Sequence, residues 1–128
     1  MRIVIGITGS SGAVYAREFI KQCDAEKFLV VSKWGKVLLK DELDITVKEL
    51  LPNVKREFSD DDLSAPIASG SNDIDAVVIL PCSTSTLGKI ASGIGDTLIT
   101  RTAQVALKER FKLVLCIRET PLSTITLE

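Results

Sequence analysis

The sequence contains no histidine. That absence excludes a Ser-His-Asp triad, a Cys-His pair and any histidine-ligated metal site. A proton transfer would have to use Glu, Asp, Lys, Tyr, a thiol or bound water. Cysteine is scarce: Cys23, Cys82 and Cys116 stand far apart with no CxxC, which suits a reducing compartment rather than a disulfide framework. No basic stripe stands out and the net charge is -1, from 16 basic and 17 acidic residues, so nothing argues for nucleic acid. The longest apolar runs, such as residues 76–80, are far too short to span a bilayer. The start, "MRIVIGITG", lacks a signal-peptide layout because its short apolar run leads into glycines. A cytoplasmic protein is the expectation.

What is present suits one domain with one core: 128 residues, 45% apolar and 26% charged. Residues 2–7 read as a buried strand of β-branched residues without alternation. Residues 13–22 read as a helix, with Val14, Phe19 and Ile20 facing a core. Residues 28–31 form a second apolar run closed by Ser32, and 33–43 a helix whose start Gly35 weakens. A short helix at 46–52 is stopped by Pro52, and 59–72 is a polar loop. Residues 75–81 are a third buried strand. Residues 82–96 are a loop that opens one or two helical turns, broken by Gly93 and Gly95. Residues 97–110 are the clearest helix, capped by Asp96 or Thr97, and 112–117 the next strand. Buried strands alternating with helices predict an α/β fold: three layers, with helices on both faces of a parallel sheet. The final "STITLE" begins an element that it does not complete, so the expectation is the front part of a longer protein.

Three stretches carry candidate chemistry. Gly6, Gly9 and Gly12 form G-x-x-G-x-x-G across the first strand-to-helix turn, with Ser10 and Ser11 between them. Backbone N–H groups at a helix N-terminus suit a phosphate, and glycine lets the anion approach; a tight packing turn explains the glycines equally well. A dinucleotide site also wants an acid after the second strand to hold a ribose. Ser32 stands there instead, which disfavours a nicotinamide cofactor. "PCSTSTLG" follows the third predicted strand, where open α/β sheets bind ligands. Its Ser83, Thr84, Ser85 and Thr86 can donate to oxygens, although a helix cap needs only one of them. "RETP" follows the last strand, where Arg118 and Glu119 could clamp an anion and move a proton; alone they read as a surface ion pair. Taken singly, Lys108 and Glu42 read as solvated charges, Trp34 and Tyr15 as packing residues, and Cys82 as a small buried thiol.

"GITGSSGAVY", "VVSKWG", "SAPIASGS", "ILPCSTSTLGKIASGIGD", "LITRTAQVALKER" and "LVLCIRETPLSTITLE" occur in this order across residues 2–128. Together they closely resemble the UbiX/Pad-type flavin prenyltransferases, long described as aromatic-acid decarboxylases. The resemblance implies a Rossmann-like or flavodoxin-like domain over 1–128 that binds FMN without metal. It also implies transfer of a dimethylallyl group from dimethylallyl monophosphate to reduced FMN, making the cofactor of a separate UbiD-type decarboxylase. Such proteins are homo-oligomers, trimers that commonly build a dodecamer, with the flavin between subunits. Carried over by position, Gly9, Ser10, Ser11, Gly12, Ser32, Ser83, Thr84, Ser85, Thr86 and Arg118 contact FMN. Glu119 carries the proton with Ser11 nearby, Lys108 faces the departing phosphate, and Glu42 lines the same pocket. Family members continue past "TLE" with a further strand and helix, whose Tyr and Arg bind the prenyl phosphate; these positions have no counterpart here.

Related flavin-dependent cysteine decarboxylases share the fold but rely on a histidine, which this sequence lacks. A non-catalytic FMN-binding or assembly subunit and a direct aromatic-acid decarboxylase are the other readings.

Overall fold

The computed structural model describes residues 1–69 and 73–117. Five strands, β1 (Arg2–Ile7), β2 (Glu26–Val31), β3 (Arg56–Ser59), β4 (Ala76–Cys82) and β5 (Lys112–Ile117), make one parallel sheet in the order β3-β2-β1-β4-β5. The helices are α1 (Ala13–Gln22), α2 (Lys33–Leu43), α3 (Thr84–Ala91) and α4 (Leu98–Glu109). The doubly wound α/β class expected from the sequence is what forms. From β1 the chain winds outward to β3, then crosses to β4 and β5 on the other side. That reversal opens a crevice at the carboxyl ends of β1 and β4, where sheets of this kind take ligands.

Each face of the sheet buries its own cluster. Ile3, Ile5 and Ile7 of β1 join Leu29 and Val31 of β2 under Ala16 and Ile20 of α1 and Leu39 of α2. Val4, Val30, Val77 and Ile79 face the other way, against Leu98, Ile99, Ala103 and Ala106 of α4. Both faces being covered, the central strands carry apolar residues at nearly every position, as the sequence suggested. Lys27 is the one charged side chain in the buried set among the described residues. Its ammonium donates to the Ile20 carbonyl at 2.7 Å and to the Cys23 carbonyl, closing the C-terminus of α1.

Several expectations are corrected. Val14 does not face the core; it is 39% exposed, and Ala13, Ala16 and Ile20 are the buried residues of α1. The segment 46–52 is not a helix ended by proline. It is two 3₁₀ turns, Val47–Glu49 and Leu51–Asn53, with Pro52 inside the second. Strand β3 has no counterpart among the expected elements, and its last residue, Ser59, falls in the expected loop; only Phe58 of its four residues is buried. The one or two helical turns expected after β4 do form, as α3, capped directly by Ser83 and ended before Gly93. Gly35 has a packing reason that the sequence did not show: a Cβ there would lie 2.3 Å from the Ile7 carbonyl oxygen, so glycine is what lets the helix seat on β1.

Candidate functional site

Three helices begin at the carboxyl edge of the sheet and converge on one cavity of about 630 Å³. Each is capped by a hydroxyl that also lines it. Ser32 Oγ accepts from Gly35 N at 2.9 Å for α2. Ser83 Oγ accepts from Thr86 N at 3.1 Å for α3, and Thr97 Oγ1 from Thr100 N at 3.2 Å for α4. Helix N-termini carry partial positive charge, and Lys33, Lys36 and Lys89 add ammonium groups to the same walls. The N-termini of α2 and α3, three lysines and the Ser85 and Thr86 hydroxyls suit an anion, beside the Asp60 and Asp61 carboxylates on the same walls, in a cavity of the size that takes a cofactor.

Thr8, which sequence reasoning passed over, ties the two central loops together. Its buried Oγ1 donates to the Pro81 carbonyl at 2.7 Å and accepts from Ser83 N at 2.8 Å. The β1 loop and the "PCSTSTLG" loop therefore keep a fixed spacing. Asp60 was also missed. Its carboxylate accepts from Ile99 N at 2.8 Å and its carbonyl from Leu98 N at 2.8 Å, so it shares the first turn of α4. Burial, partly offset by the Ile99 N–H, holds its carboxyl above the ordinary value. An aspartate in a Ser/Asp-rich stretch carries no such signal in sequence, since its partners lie 38 and 39 residues on.

The glycine loop behaves differently from expectation. Gly12 has φ 121°, a conformation that requires glycine, and its N–H points not to an open anion site but to Glu42. The Glu42 carboxylate accepts from Gly12 N at 3.1 Å and Ala13 N at 2.9 Å. An acid carried by α2 thus occupies the N-terminus of α1. Gly9 lines the large cavity, whereas Ser11 and Gly12 line a smaller one of about 310 Å³ with Tyr15, Pro81 and Cys116. Ser10 and Thr84 line neither.

Lys108 lies in a third recess, with Arg101 and Gln104. It stands eleven residues beyond the cap of α4, about 16 Å along the helix at 1.5 Å per residue, toward the opposite edge of the sheet. One chain does not bring it to the large cavity. Arg118 and Glu119 lie outside the described residues. Trp34 and Tyr15 do not pack in the core: they are 64% and 53% exposed. Cys82 is fully buried, and burial pushes its thiol up to about 11. Among the described residues, no cluster of Cys, Asp or Glu is arranged to hold a metal ion, and no helix is long and apolar enough to cross a membrane.

A doubly wound sheet with a hydroxyl- and lysine-lined anion cavity at its switch point defines a binder of phosphorylated cofactors. The sequence matches the family described as Flavoprotein over residues 1–127. A flavin prenyltransferase UbiX of Thermoplasma acidophilum is 47% identical over 129 residues, covering 100% of this chain and 72% of that protein. The crystal structure of AnUbiX (PadA1) in complex with FMN and dimethylallyl pyrophosphate superposes with a TM-score of 0.94 at 41% identity, over 98% of this chain and 69% of that one. A dodecameric FMN-dependent UbiX-like decarboxylase from Escherichia coli O157:H7 also gives 0.94, at 37% identity, over 99% and 72%. The chain belongs to the Flavoprotein family, on its UbiX-type flavin prenyltransferase branch.

Proposed function

We propose that this chain transfers a dimethylallyl group from dimethylallyl monophosphate to reduced FMN, supplying prenylated flavin to a UbiD-type decarboxylase. The observation that carries the reading is the convergence of the α2, α3 and α4 N-termini on one cavity. Its residues fit FMN: the Ser32, Ser83, Ser85 and Thr86 hydroxyls and the three lysines suit a phosphate, and the volume suits a flavin-sized molecule. Reduced FMN, when bound, supplies the ring atoms that accept the five-carbon unit. Gly9 lines the large cavity and Ser11 and Gly12 the smaller one, and Thr8, just before them, is tied to Ser83.

The chain's remaining work is electrostatic. An allylic phosphate leaves by gathering negative charge, so cations held in place around it lower the barrier. Arg118 and Lys108 take that role and Glu119 moves the proton, near Ser11, in this reading. Lys108 sits at the far end of α4, so its part requires a site shared between subunits of a homo-oligomer, built from trimers. The reaction belongs to the cytoplasm, in keeping with three cysteines that are all free thiols.

The test is an oxygen-free incubation with reduced FMN and dimethylallyl monophosphate, with the pyrophosphate in a parallel arm. Mass spectrometry should find flavin plus one five-carbon unit, formed faster from the monophosphate. FMN binding without any adduct in either arm would sink the transferase reading. Glu119→Ala should bind FMN and lose turnover.

A further inference from the structure

Trp34 is the only tryptophan in the sequence. It lines the large cavity yet is 64% exposed, so it gives up most of the burial that a large aromatic normally gains. Its base is nonetheless fixed. A Cβ on Gly9 would fall 2.4 Å from Trp34 Cβ, and one on Gly35 would fall 2.3 Å from the Ile7 carbonyl oxygen. The first turn of α2 is therefore seated on the glycine loop and on β1, and only the two side-chain torsions of the indole remain free. The Lys33 ammonium lies 5.8 Å from the ring centroid, within reach of a cation–π contact. The hydroxyls and lysines of the cavity account for a phosphate. They do not account for a tryptophan, from which a phosphate alone gains nothing. A molecule that joins a phosphate to a planar ring uses both.

We propose that Trp34 is a flavin-contacting residue, whose indole packs on bound FMN and so selects it over phosphate esters without a planar ring. This rests on the FMN reading above. The absence of any other tryptophan makes the test direct. The full chain is titrated with FMN, riboflavin and ribose 5-phosphate while tryptophan emission is followed, and FMN binding is measured separately by equilibrium dialysis. FMN should quench most of the emission, riboflavin should quench only at higher concentration, and ribose 5-phosphate should leave it unchanged. Trp34→Ala and Trp34→Leu should weaken FMN binding about tenfold, and Trp34→Phe should recover most of it. Should Trp34→Ala fail to fold, the Phe and Leu variants and the wild-type quenching still decide. Tight FMN binding by dialysis without quenching, or Trp34→Leu binding FMN as wild type does, would overturn the role of Trp34 and leave the FMN reading standing. So would a Trp34→Ala variant that sediments as smaller assemblies with unchanged FMN affinity, since that marks a subunit contact. No FMN binding by dialysis would overturn both.

Discussion

The carboxylate of Glu42, on α2, sits on the first turn of α1 and accepts the N–H groups of Gly12 and Ala13 at 3.1 and 2.9 Å. Gly12 has no side chain to cap the helix, so the cap is borrowed from thirty residues away. Removing it in Glu42→Ala should destabilise the fold by about 0.5–2 kcal/mol, as loss of an N-cap does. Glu42→Gln keeps an acceptor oxygen and loses only the charge facing the helix dipole, about 0.3–1 kcal/mol. Thermal unfolding should rank wild type above Gln and Gln above Ala. Equal melting points for all three would show that the cap contributes nothing.

Two glycines in helices should respond in opposite directions. Gly35→Ala drives a Cβ to 2.3 Å from the Ile7 carbonyl oxygen and 3.0 Å from Val31 Cγ1, both in the body of the sheet. It should cost about 1–3 kcal/mol through displacement of α2. Gly88, inside α3, meets nothing within 4 Å. Gly88→Ala should therefore stabilise by about 0.5–1 kcal/mol, because alanine loses less backbone freedom on folding. Denaturant midpoints of the two variants on either side of wild type are the expected result.

Asp60 should make stability and phosphate affinity depend on pH. Burial raises its carboxyl above the ordinary 3.8, with Asp61 and Asp96 adding to the rise and the Ile99 N–H and Lys89 opposing it. Folding thus favours the protonated form. Its contribution is full below the unfolded value and is lost as pH climbs through the raised native one. Asp60→Asn keeps an oxygen for Ile99 N and removes that dependence. The variant should match or exceed wild-type melting temperature at pH 7, and the gap should close in acid. It should also bind FMN a few-fold more tightly at pH 7, one negative charge having left an anion cavity. A variant that melts lower at pH 7 than in acid, relative to wild type, contradicts this assignment.

Cys82 should be inert in the native protein. It is fully buried and its thiol is raised to about 11, leaving about one thiolate in a thousand at pH 8. Iodoacetamide at that pH should leave Cys82 unlabelled until guanidinium unfolds the chain, as peptide mass spectrometry would read. Native labelling at the rate of a free thiol would contradict its burial.

The elements that the sequence announced are those whose signal is local and long. The β-branched runs at 2–7 and 75–81 and the periodic stretch at 97–110 needed only their neighbours to be read, and Thr97 caps α4 as its position promised. Strand β3 was not legible, because an edge strand with one buried residue in four looks like loop. Ser83 was legible as a candidate by its place after a strand and Ser32 through the family resemblance, and both line the large cavity. The roles of Thr8, Asp60 and Glu42 were not: each rests on a partner 30 to 75 residues away.

The sequence by itself determined the alternation of buried strands and helices, the chemistry that the absent histidines exclude, and the family. Tertiary structure alone decided which helix N-termini face the large cavity and which are already filled by a side chain. Ser32, Ser83 and Thr97 cap three helices that start at one cavity, while carboxylates take two N-termini, Glu42 that of α1 and Asp60 that of α4. Four helix starts look alike in a sequence. Which ones remain open to a ligand depends on which side chain arrives there first, and that is set by packing across the sheet rather than by any local motif.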